Sequence, residues 1–228
     1  NMFSNCYSLT SIPNLDTSNV IYMTSAFQSC SSLTSLNIDT SKVTNMSLAF
    51  SGCSSLTSLN IDTSNVTNMD RAFFDCSSLT SLNIDTSNVT NMSRAFDSCS
   101  SLTSLNIDTS NVTNMQQTFF FCYSLTSLPQ LDISKVTNFG SANYNATFFD
   151  THSLANLSIL GSLGDPTTVL TFYLQNTNLS RNKLVELATN LPVTSVDKTI
   201  NISGTLGTPE LTEDDKAIFT DKGYILVV

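Results

Sequence analysis

Apolar residues recur along most of the chain with a fixed 23-residue period. The stretch from Asn45 to Thr67 reads NMSLAFSGCSSLTSLNIDTSNVT, and the stretches that begin at Asn68 and Asn91 differ from it at no more than four positions. The apolar positions of this unit fit neither a long amphipathic helix nor a long alternating strand. A fixed period of this length is typical of repeat proteins, in which each unit forms one coil of a solenoid.

The segment Leu-Thr-Ser-Leu-Asn-Ile of each unit alternates as a short strand does. Because side chains of a strand point to opposite faces in turn, Leu59 and Ile61 should lie inward, and Ser58 and Asn60 outward. Equivalent residues of successive coils then stack at about 4.8 Å and form a parallel sheet. Burying each large side chain stabilises by roughly 1.5 to 3 kcal/mol, but only when neighbouring coils cover it. We therefore expect that a single unit does not fold alone.

A seventh, degenerate unit follows the regular ones. In this unit Phe139, Phe148 and Thr151 take the places of the Met, Phe and Cys of the earlier units. Five extra residues are inserted near Tyr144. We expect the insertion to form a loop outside the coil, since the positions on both sides of it keep the pattern of the repeat.

The pattern changes after the degenerate unit to longer, helix-bearing repeats. Val169–Leu179 has a strand pattern, and Ser180 is then a good N-cap for a helix that runs to about Asn190. We therefore expect two regions: 23-residue repeats over residues 1–163, and helix-bearing repeats over residues 164–228. The second region should continue the solenoid and close its end, as repeat arrays require.

A second helix-bearing unit occupies the last thirty residues or so. Thr199–Ser203 has a strand pattern, Thr212 and Asp215 have the spacing of a helix capping box, Gly223 should end that helix, and Tyr224–Val228 should form a final strand. The predicted fold class is α/β: a right-handed solenoid with a parallel β-sheet. It is mostly β and irregular in the first region and helix-bearing in the second.

Composition agrees with a folded chain and limits its partners. Hydrophobic residues make up 40% of the 228 residues and charged residues 12%, which is a globular composition. The net charge is −9, and the nine basic residues do not cluster, so we expect no binding to nucleic acid or to acidic membrane surfaces. No apolar run is long enough to insert into a membrane, and the first residues lack the pattern of a cleavable leader, so we expect neither a membrane span nor a signal peptide in this sequence. Asn1 falls inside a repeat, so we expect that the chain is truncated at its N-terminus.

Two polar positions repeat in every unit and should form two columns of side chains. We expect the inward asparagines to hydrogen-bond backbone groups at successive turns. Stacked aspartates raise one another's pKa unless something compensates, and a row of calcium sites is one interpretation of the column. A turn in which each carboxylate accepts backbone N–H bonds is favoured, because no EF-hand spacing is present. The columns are Asn45, Asn68, Asn91, Asn114 and Asn138, and Asp39, Asp62, Asp85 and Asp108.

The six cysteines occupy one position of the repeat. Their separation of about one coil would permit disulfides. We nevertheless expect free, buried thiols, because Thr151 fills the same position in the seventh unit and each cysteine lies beside a core Phe. No C-x-x-C pair is present, and the lone histidine, His152, has no neighbouring ligand, so we expect a surface histidine, no metal site and no cofactor.

No arrangement of residues indicates catalysis. We find no nucleophile paired with a base, no paired carboxylates outside the aspartate column, and no Gly-rich phosphate loop. We therefore expect no catalytic residues and no enzymatic activity. A carbohydrate-active enzyme is the most distant of the alternatives, and an acid cluster facing a groove would favour it.

The units NMDRAFFDCSSLTSLNIDTSNVT and NMSRAFDSCSSLTSLNIDTSNVT resemble the BspA-like leucine-rich repeats of bacterial surface proteins. The resemblance covers residues 1 to about 163 through the A-F-x-x-C-x-S-L-x-S-L pattern and the D-T-S-N-V-T-N-M run. It implies a leucine-rich-repeat solenoid, an extracellular or cell-surface location on a bacterium, and adhesion to host matrix proteins or other cells. We expect the partner to be a host or cell-surface protein or glycan. It implies no activity and no cofactor, and it supplies no fixed set of ligand-binding residues.

The positions that vary between units are those that the core does not dictate, four per unit after the Met and the Phe. Stacking should place them in one stripe that ends beside the insertion. Phe120 and Phe121 stand out, since adjacent surface aromatics next to a core Phe are unfavourable without a partner or a covering loop. The candidate ligand-binding residues are Arg71, Phe74, Asp75, Arg94, Asp97, Gln116, Gln117, Phe120, Phe121 and Tyr144.

Two functions are compatible with this stripe. In the first, the chain is a surface adhesion module that binds a protein or glycan through the stripe or through the strand face, because aromatic and arginine side chains are common binding anchors. In the second, the variable positions drift freely and the chain is a passive spacer in a larger surface protein. Replacing stripe residues distinguishes the two.

Overall fold

The computed structural model describes residues 2–12, 15–140, 146–161, 171–194 and 198–228. Its regular elements all lie in the second half of the chain, because the earlier coils pair through single bridges. The elements are β1 (Ser127–Asp132), β2 (Asn156–Leu160), β3 (Thr171–Tyr173), α1 (Arg181–Asn190), β4 (Lys198–Asn201), a 3-10 turn (Thr208–Glu210), α2 (Glu213–Asp221) and β5 (Tyr224–Val227).

Each 23-residue unit forms one coil, and its short strand segment alternates as predicted. Leu59 and Ile61 are buried, whereas Ser58 and Asn60 are exposed. In most coils this segment pairs through isolated parallel bridges such as Asn60 with Asn83, and within the described part of the repeats it becomes a continuous ladder only between β1 and β2. The segment is short because a turn flanks it on each side.

The asparagine column connects the coils through its backbone. Asn45 and Asn68 form one of a row of parallel bridges, and the Asn68 carbonyl accepts the amide hydrogen of Met46 at 2.9 Å. The asparagine side chains bond backbone groups at successive turns, as predicted, and each one does so within its own coil. The Asn45 Oδ1 accepts a hydrogen bond from the amide of Ser47 in its own coil at 2.9 Å, and the side chain is half-buried. A carboxamide reaches the amide two residues ahead more easily than the next coil.

A ladder of phenylalanine rings runs through the core, one ring per coil. Neighbouring rings are stacked with centroids 5.4 to 5.8 Å apart, from Phe3 to Phe148. At the end of the ladder Phe148 meets Phe172 edge-on at 5.7 Å. The C-terminal region therefore packs directly on the core of the repeats, and one hydrophobic cluster extends from Met23 to Tyr224.

The cysteines line the same core as free thiols, as predicted. Each buried thiol donates to a backbone carbonyl near the core Phe of the previous coil; Cys76 Sγ, for example, lies 3.1 Å from the Phe50 oxygen. Thr151 is fully buried at the equivalent position, and its hydroxyl donates to the Phe148 carbonyl at 2.8 Å. Cys6 departs from the prediction because it is exposed, since its coil is the first in the stack.

The C-terminal region matches the predicted order of elements. The parallel strands β3, β4 and β5 form a three-stranded sheet beside α1 and α2. Ser180 is the N-cap of α1, although its side chain makes no capping hydrogen bond, whereas Thr212 and Asp215 form the predicted capping box of α2. Gly223 follows α2 with a φ of 87°. The predicted boundary after residue 163 falls outside the described residues.

Candidate functional site

The four variable positions of each unit are the central residues of two consecutive β-turns. In one unit, the Ala72 amide donates to the Met69 carbonyl at 3.0 Å, and the Cys76 amide donates to the Phe73 carbonyl at 3.1 Å. The third residue of each turn has a positive φ, 51° at Arg71 and 55° at Asp75. This is the pattern of type II turns. Because turn residues need not face the core, these positions tolerate different side chains.

The two turns stack from coil to coil and form one edge of the solenoid, as predicted. Several stripe residues nevertheless lie deeper than expected, and the prediction that the variable positions are exposed was wrong for three of the candidate binding residues. Asp97, Gln117 and Phe120 retain only 1%, 8% and 6% of their surface. Asp75 is exposed, and the remaining described candidates, Arg71, Phe74, Arg94, Gln116 and Phe121, are partly buried. Tyr144 lies outside the described residues.

Asp97 is buried because its neighbours supply both of its oxygens with hydrogen bonds. The Arg94 Nε donates to one oxygen at 2.8 Å, and the Ser98 hydroxyl donates to the other at 2.7 Å. Burial nevertheless raises the pKa of Asp97, against the lowering effect of the Arg94 hydrogen bond. The Arg94 guanidinium also lies 4.7 Å from the centre of the Phe74 ring. Arg94 is thus held between a carboxylate and an aromatic face.

Phe120 is buried because other aromatic rings cover it. Its ring lies 4.1 Å from that of Phe121 and 5.3 Å from that of Phe149 in the next coil. The aromatic cluster continues outward from Phe121 to Tyr123, at 5.6 Å, and from Tyr123 to His152, at 5.9 Å. The sequence pattern suggested a covering loop, and Phe149, immediately after the core Phe of the seventh unit, supplies part of this cover.

Sequence reasoning missed Tyr123, Phe149 and the second role of His152. His152 is a surface residue as predicted, but it also stacks on Tyr123 and lies 3.3 Å from a carboxylate oxygen of Asp150. A signal was present, because Tyr123 and His152 follow the Cys or its Thr replacement, where the regular units have Ser. An aromatic residue that replaces a repeated Ser in two successive coils must stack on its neighbour.

Comparison with known protein families identifies the repeat. A model of the BspA type leucine-rich repeat region matches residues 47–180 with six copies. The chain belongs to this family. A second family model, described as a Mycoplasma protein of unknown function, matches residues 1–83. No curated protein matches the chain.

A solved structure agrees with the fold of this BspA-type chain. A leucine-rich repeat protein of T. pallidum matches with a TM-score of 0.55 and 19% sequence identity, covering 95% of this chain and 83% of that one. At this identity the likeness concerns the fold alone, and it supports the α/β leucine-rich-repeat solenoid. BspA-type repeats suggest a protein-interaction module and are typically non-enzymatic and commonly surface-associated in bacteria. In the described part of the chain, no helix is long and apolar enough to span a membrane.

The aspartate column of this BspA-type chain forms turns, as favoured from the sequence. The Asp62 Oδ1 accepts the amide hydrogen of Ser64 at 2.9 Å, and equivalent bonds recur along the column. The hydroxyl and amide of the serine lower the pKa of Asp39, Asp62 and Asp85, and at Asp39 and Asp62 they outweigh repulsion from neighbouring aspartates. Among the described residues no group of three or more His, Cys, Asp or Glu could hold a metal ion.

Proposed function

We propose that the chain is a non-enzymatic binding module of a bacterial cell-surface or secreted protein, and that it recognises a protein or glycan ligand. Its binding surface is the turn edge, which we define as the outer face of the stacked turns together with the aromatic cluster beside them. The turn edge comprises Arg71, Phe74, Asp75, Arg94, Gln116, Phe121, Tyr123 and His152.

The observation that carries this proposal is the exposed end of the aromatic cluster. Tyr123 keeps 43% of its surface exposed, and the His152 side chain keeps 56%. Aromatic residues on a protein surface are common anchors of binding interfaces, because their rigid rings lose little conformational entropy on contact. The strand face, in contrast, presents repeated Ser, Thr and Asn side chains.

The contrast between the repeated core positions and the variable turn positions of each unit also supports binding at the turn edge. The core positions repeat almost without change, so coil stacking alone accounts for them. The turn positions differ in charge and size from coil to coil and combine Arg, Asp and Phe within a short distance. Such a mixture of charged and aromatic groups on a rigid scaffold gives a ligand several different contacts.

The second candidate function is a passive spacer in a larger surface protein. The near identity of successive units favours it, because a regular stack of coils supplies length and stiffness without a ligand. Under this alternative, Tyr123 and His152 contribute nothing beyond their mutual contact.

The two functions can be separated by binding measurements on arrayed glycans and immobilised extracellular-matrix proteins. The test variant combines Arg71→Ala, Tyr123→Ala and His152→Ala, since these side chains are accessible and their removal leaves the core intact. The control is Tyr22→Ala, which removes an exposed tyrosine that is not one of the turn-edge residues. The test variant should lose at least tenfold in affinity at an unchanged melting temperature, and the control should bind as the wild type does. Unaltered binding, or no binding by the wild type, favours the spacer.

A further inference from the structure

The turn edge ends in a group of aromatic rings and a carboxylate that together resemble a cation site. We infer that Phe121, Tyr123, His152 and Asp150 accept an arginine or lysine side chain from a basic segment of a partner protein. This inference rests on the proposed function, because it names the chemistry of the partner that the turn edge would bind.

The rings form a continuous and partly exposed row. Phe121 stacks on Tyr123, and Tyr123 on His152, with an inclination of 29° between the planes of each pair. A cation is attracted to the face of an aromatic ring when it lies within about 6 Å of the ring centre. Tyr123 is the most suitable acceptor of the row, because 43% of its surface is exposed.

Asp150 supplies the negative charge beside these rings. Its Oδ1 accepts a hydrogen bond from the Asn176 side chain at 3.1 Å and lies 3.3 Å from the His152 Nε2. Its other oxygen accepts no hydrogen bond from the part of the chain that the structure describes. The carboxylate is partly exposed, with 22% of the side chain accessible. A second oxygen therefore remains for a charge-assisted hydrogen bond from a cationic group.

The same surface already contains a completed version of this arrangement. In the coil before that of Tyr123, the guanidinium of Arg94 lies over the Phe74 ring at 4.7 Å and donates to the Asp97 carboxylate at 2.8 Å. Ring, carboxylate and cation are all present there within one chain. Around Tyr123 and Asp150 the ring and the carboxylate are present, but no Lys or Arg among the described residues pairs with Asp150.

Charge around the cluster also favours a cationic partner. The two arginines of the turn edge are engaged by carboxylates, Arg71 by Asp70 at 3.3 Å and Arg94 by Asp97 at 2.8 Å. The exposed carboxylate of Asp75 adds negative charge to the same edge. The whole chain carries a net charge of −9, which attracts positively charged partners over several ångströms.

The inference is tested with three synthetic peptides of equal length: (Gly-Arg)4, its neutral counterpart (Gly-citrulline)4, and (Gly-Glu)4. Binding is followed at low ionic strength through the NMR signals of the Tyr123 and His152 rings. We expect (Gly-Arg)4 alone to shift these signals. Tyr123→Ala and Asp150→Asn should each weaken binding at least threefold, which is the size of one exposed cation–π contact or charge-assisted bond. Raising the salt concentration should weaken it further.

The matched control is the double variant Asp62→Asn and Asp85→Asn, which removes two carboxylates of the aspartate column. Its affinity for (Gly-Arg)4 should stay within twofold of the wild type. A larger loss in this control than in Asp150→Asn would assign binding to the aspartate column and overturn the inference. Equal binding of the citrulline peptide would overturn it as well. Melting temperatures of all variants identify any loss that is due to unfolding.

The inference can fail while the proposed function holds. A neutral glycan that shifts the Tyr123 signals and is insensitive to Asp150→Asn would support the binding module and exclude the cation site. Conversely, if adding (Gly-Arg)4 to the wild type leaves the ring signals of Tyr123 and His152 unchanged, the cation site is excluded directly. Binding that depends on Tyr123, Asp150 and positive charge together supports both.

Discussion

The rings of Phe73 and Phe96 lie face to face, with their centroids 5.7 Å apart and their planes inclined by 3°. Both rings are fully buried, and each also stacks on the ring of the coil on its other side. The core of one coil is therefore completed by its two neighbours. Solenoid stability arises in this way from the interfaces between successive units rather than from each unit alone.

Phe96→Ala should lower the free energy of unfolding by about 3 to 5 kcal/mol, because it leaves a cavity between two stacked rings. Phe3→Ala should lower the free energy of unfolding much less, since Phe3 is partly exposed and has one ring neighbour in the ladder. Urea unfolding followed by circular dichroism measures both variants. Equal losses at the two positions would contradict the interface origin of stability.

The positive φ angles of the turn edge predict a stabilising substitution. Asp75 has a φ of 55°, and Gly52 occupies the same position one coil earlier with a φ of 73°. A left-handed conformation costs an ordinary residue roughly 1 to 2 kcal/mol, whereas glycine adds about 0.4 to 1 kcal/mol of unfolded-state entropy. Asp75→Gly should therefore stabilise the protein by about 0.5 kcal/mol. Thermal unfolding measures the change.

Gly52→Ala is the converse control for this prediction. An added Cβ would stand 3.4 Å from the Cα of Ser29, which is tight, and the backbone conformation disfavours it further. We expect a loss of about 1 kcal/mol. Destabilisation by Asp75→Gly would show that the Asp75 side chain makes a contribution larger than its backbone strain.

The cysteines should differ sharply in reactivity. Burial raises the pKa of Cys53 to about 12 and that of Cys76 and Cys99 well above the ordinary value, so few thiolates form. Cys6 is exposed. Ellman's reagent should therefore modify one thiol of the native protein and all six after denaturation with guanidinium. A Cys6→Ser variant should show no fast reaction, and fast reaction of a second thiol would contradict the packing of the cysteines.

The coils and caps could be predicted from the sequence because they depend on local chemistry repeated in each unit. The alternation of Leu59 and Ile61 with polar neighbours requires only the geometry of a strand. The capping box of Thr212 and Asp215 requires only two residues three positions apart. The turns at the aspartate column are equally local, since Asp62 bonds to the amide of Ser64.

The burial of the candidate site could not be predicted in the same way, because it depends on side chains in other coils or turns. Phe120 was expected at the surface, yet Phe149 of the next coil covers it. Asp97 was expected to be accessible, yet Arg94 and Ser98 enclose its carboxylate. Variation between units therefore marks positions outside the repeated core, but it does not measure exposure.

Stability in acid should depend on the aspartate column. Hydrogen bonds from the neighbouring serines lower the folded-state pKa of Asp39, Asp62 and Asp85. The unfolded value is about 3.9. A lowered folded pKa means that the stabilisation is present above about pH 3.9 and is lost as the pH falls through the folded values.

We therefore expect a weaker pH dependence in the triple variant Asp39→Asn, Asp62→Asn and Asp85→Asn. Between about pH 4 and about pH 2, its melting temperature should fall less than that of the wild type. Asparagine keeps the oxygen that accepts the turn hydrogen bond but does not titrate. Asp221→Asn, at the last residue of α2, is the control for removal of a charge elsewhere. An unchanged slope in the triple variant would mean that other carboxylates govern acid unfolding.

The two helix caps give the sharpest test of the C-terminal region, because their side chains behave differently. The Thr212 hydroxyl accepts the amide hydrogen of Asp215 at 3.2 Å, and the Asp215 carboxylate accepts the amide hydrogen of Thr212 at 2.8 Å. The Asp215 carboxylate also receives two hydrogen bonds from Arg181 at the start of α1. Ser180, the N-cap of α1, makes no side-chain capping bond.

Thr212→Ala should therefore destabilise the protein by about 1 kcal/mol, the usual cost of removing a bonded N-cap side chain. Ser180→Ala should cost only a few tenths of a kcal/mol, because no capping bond is lost. Urea unfolding under identical conditions compares the two variants. Asp215→Asn should destabilise the protein more than Thr212→Ala does, since the Asp215 substitution weakens both the capping box and the contact with Arg181 that joins the two helices. Equal effects of the two alanine substitutions would mean that Ser180 caps α1 in solution after all.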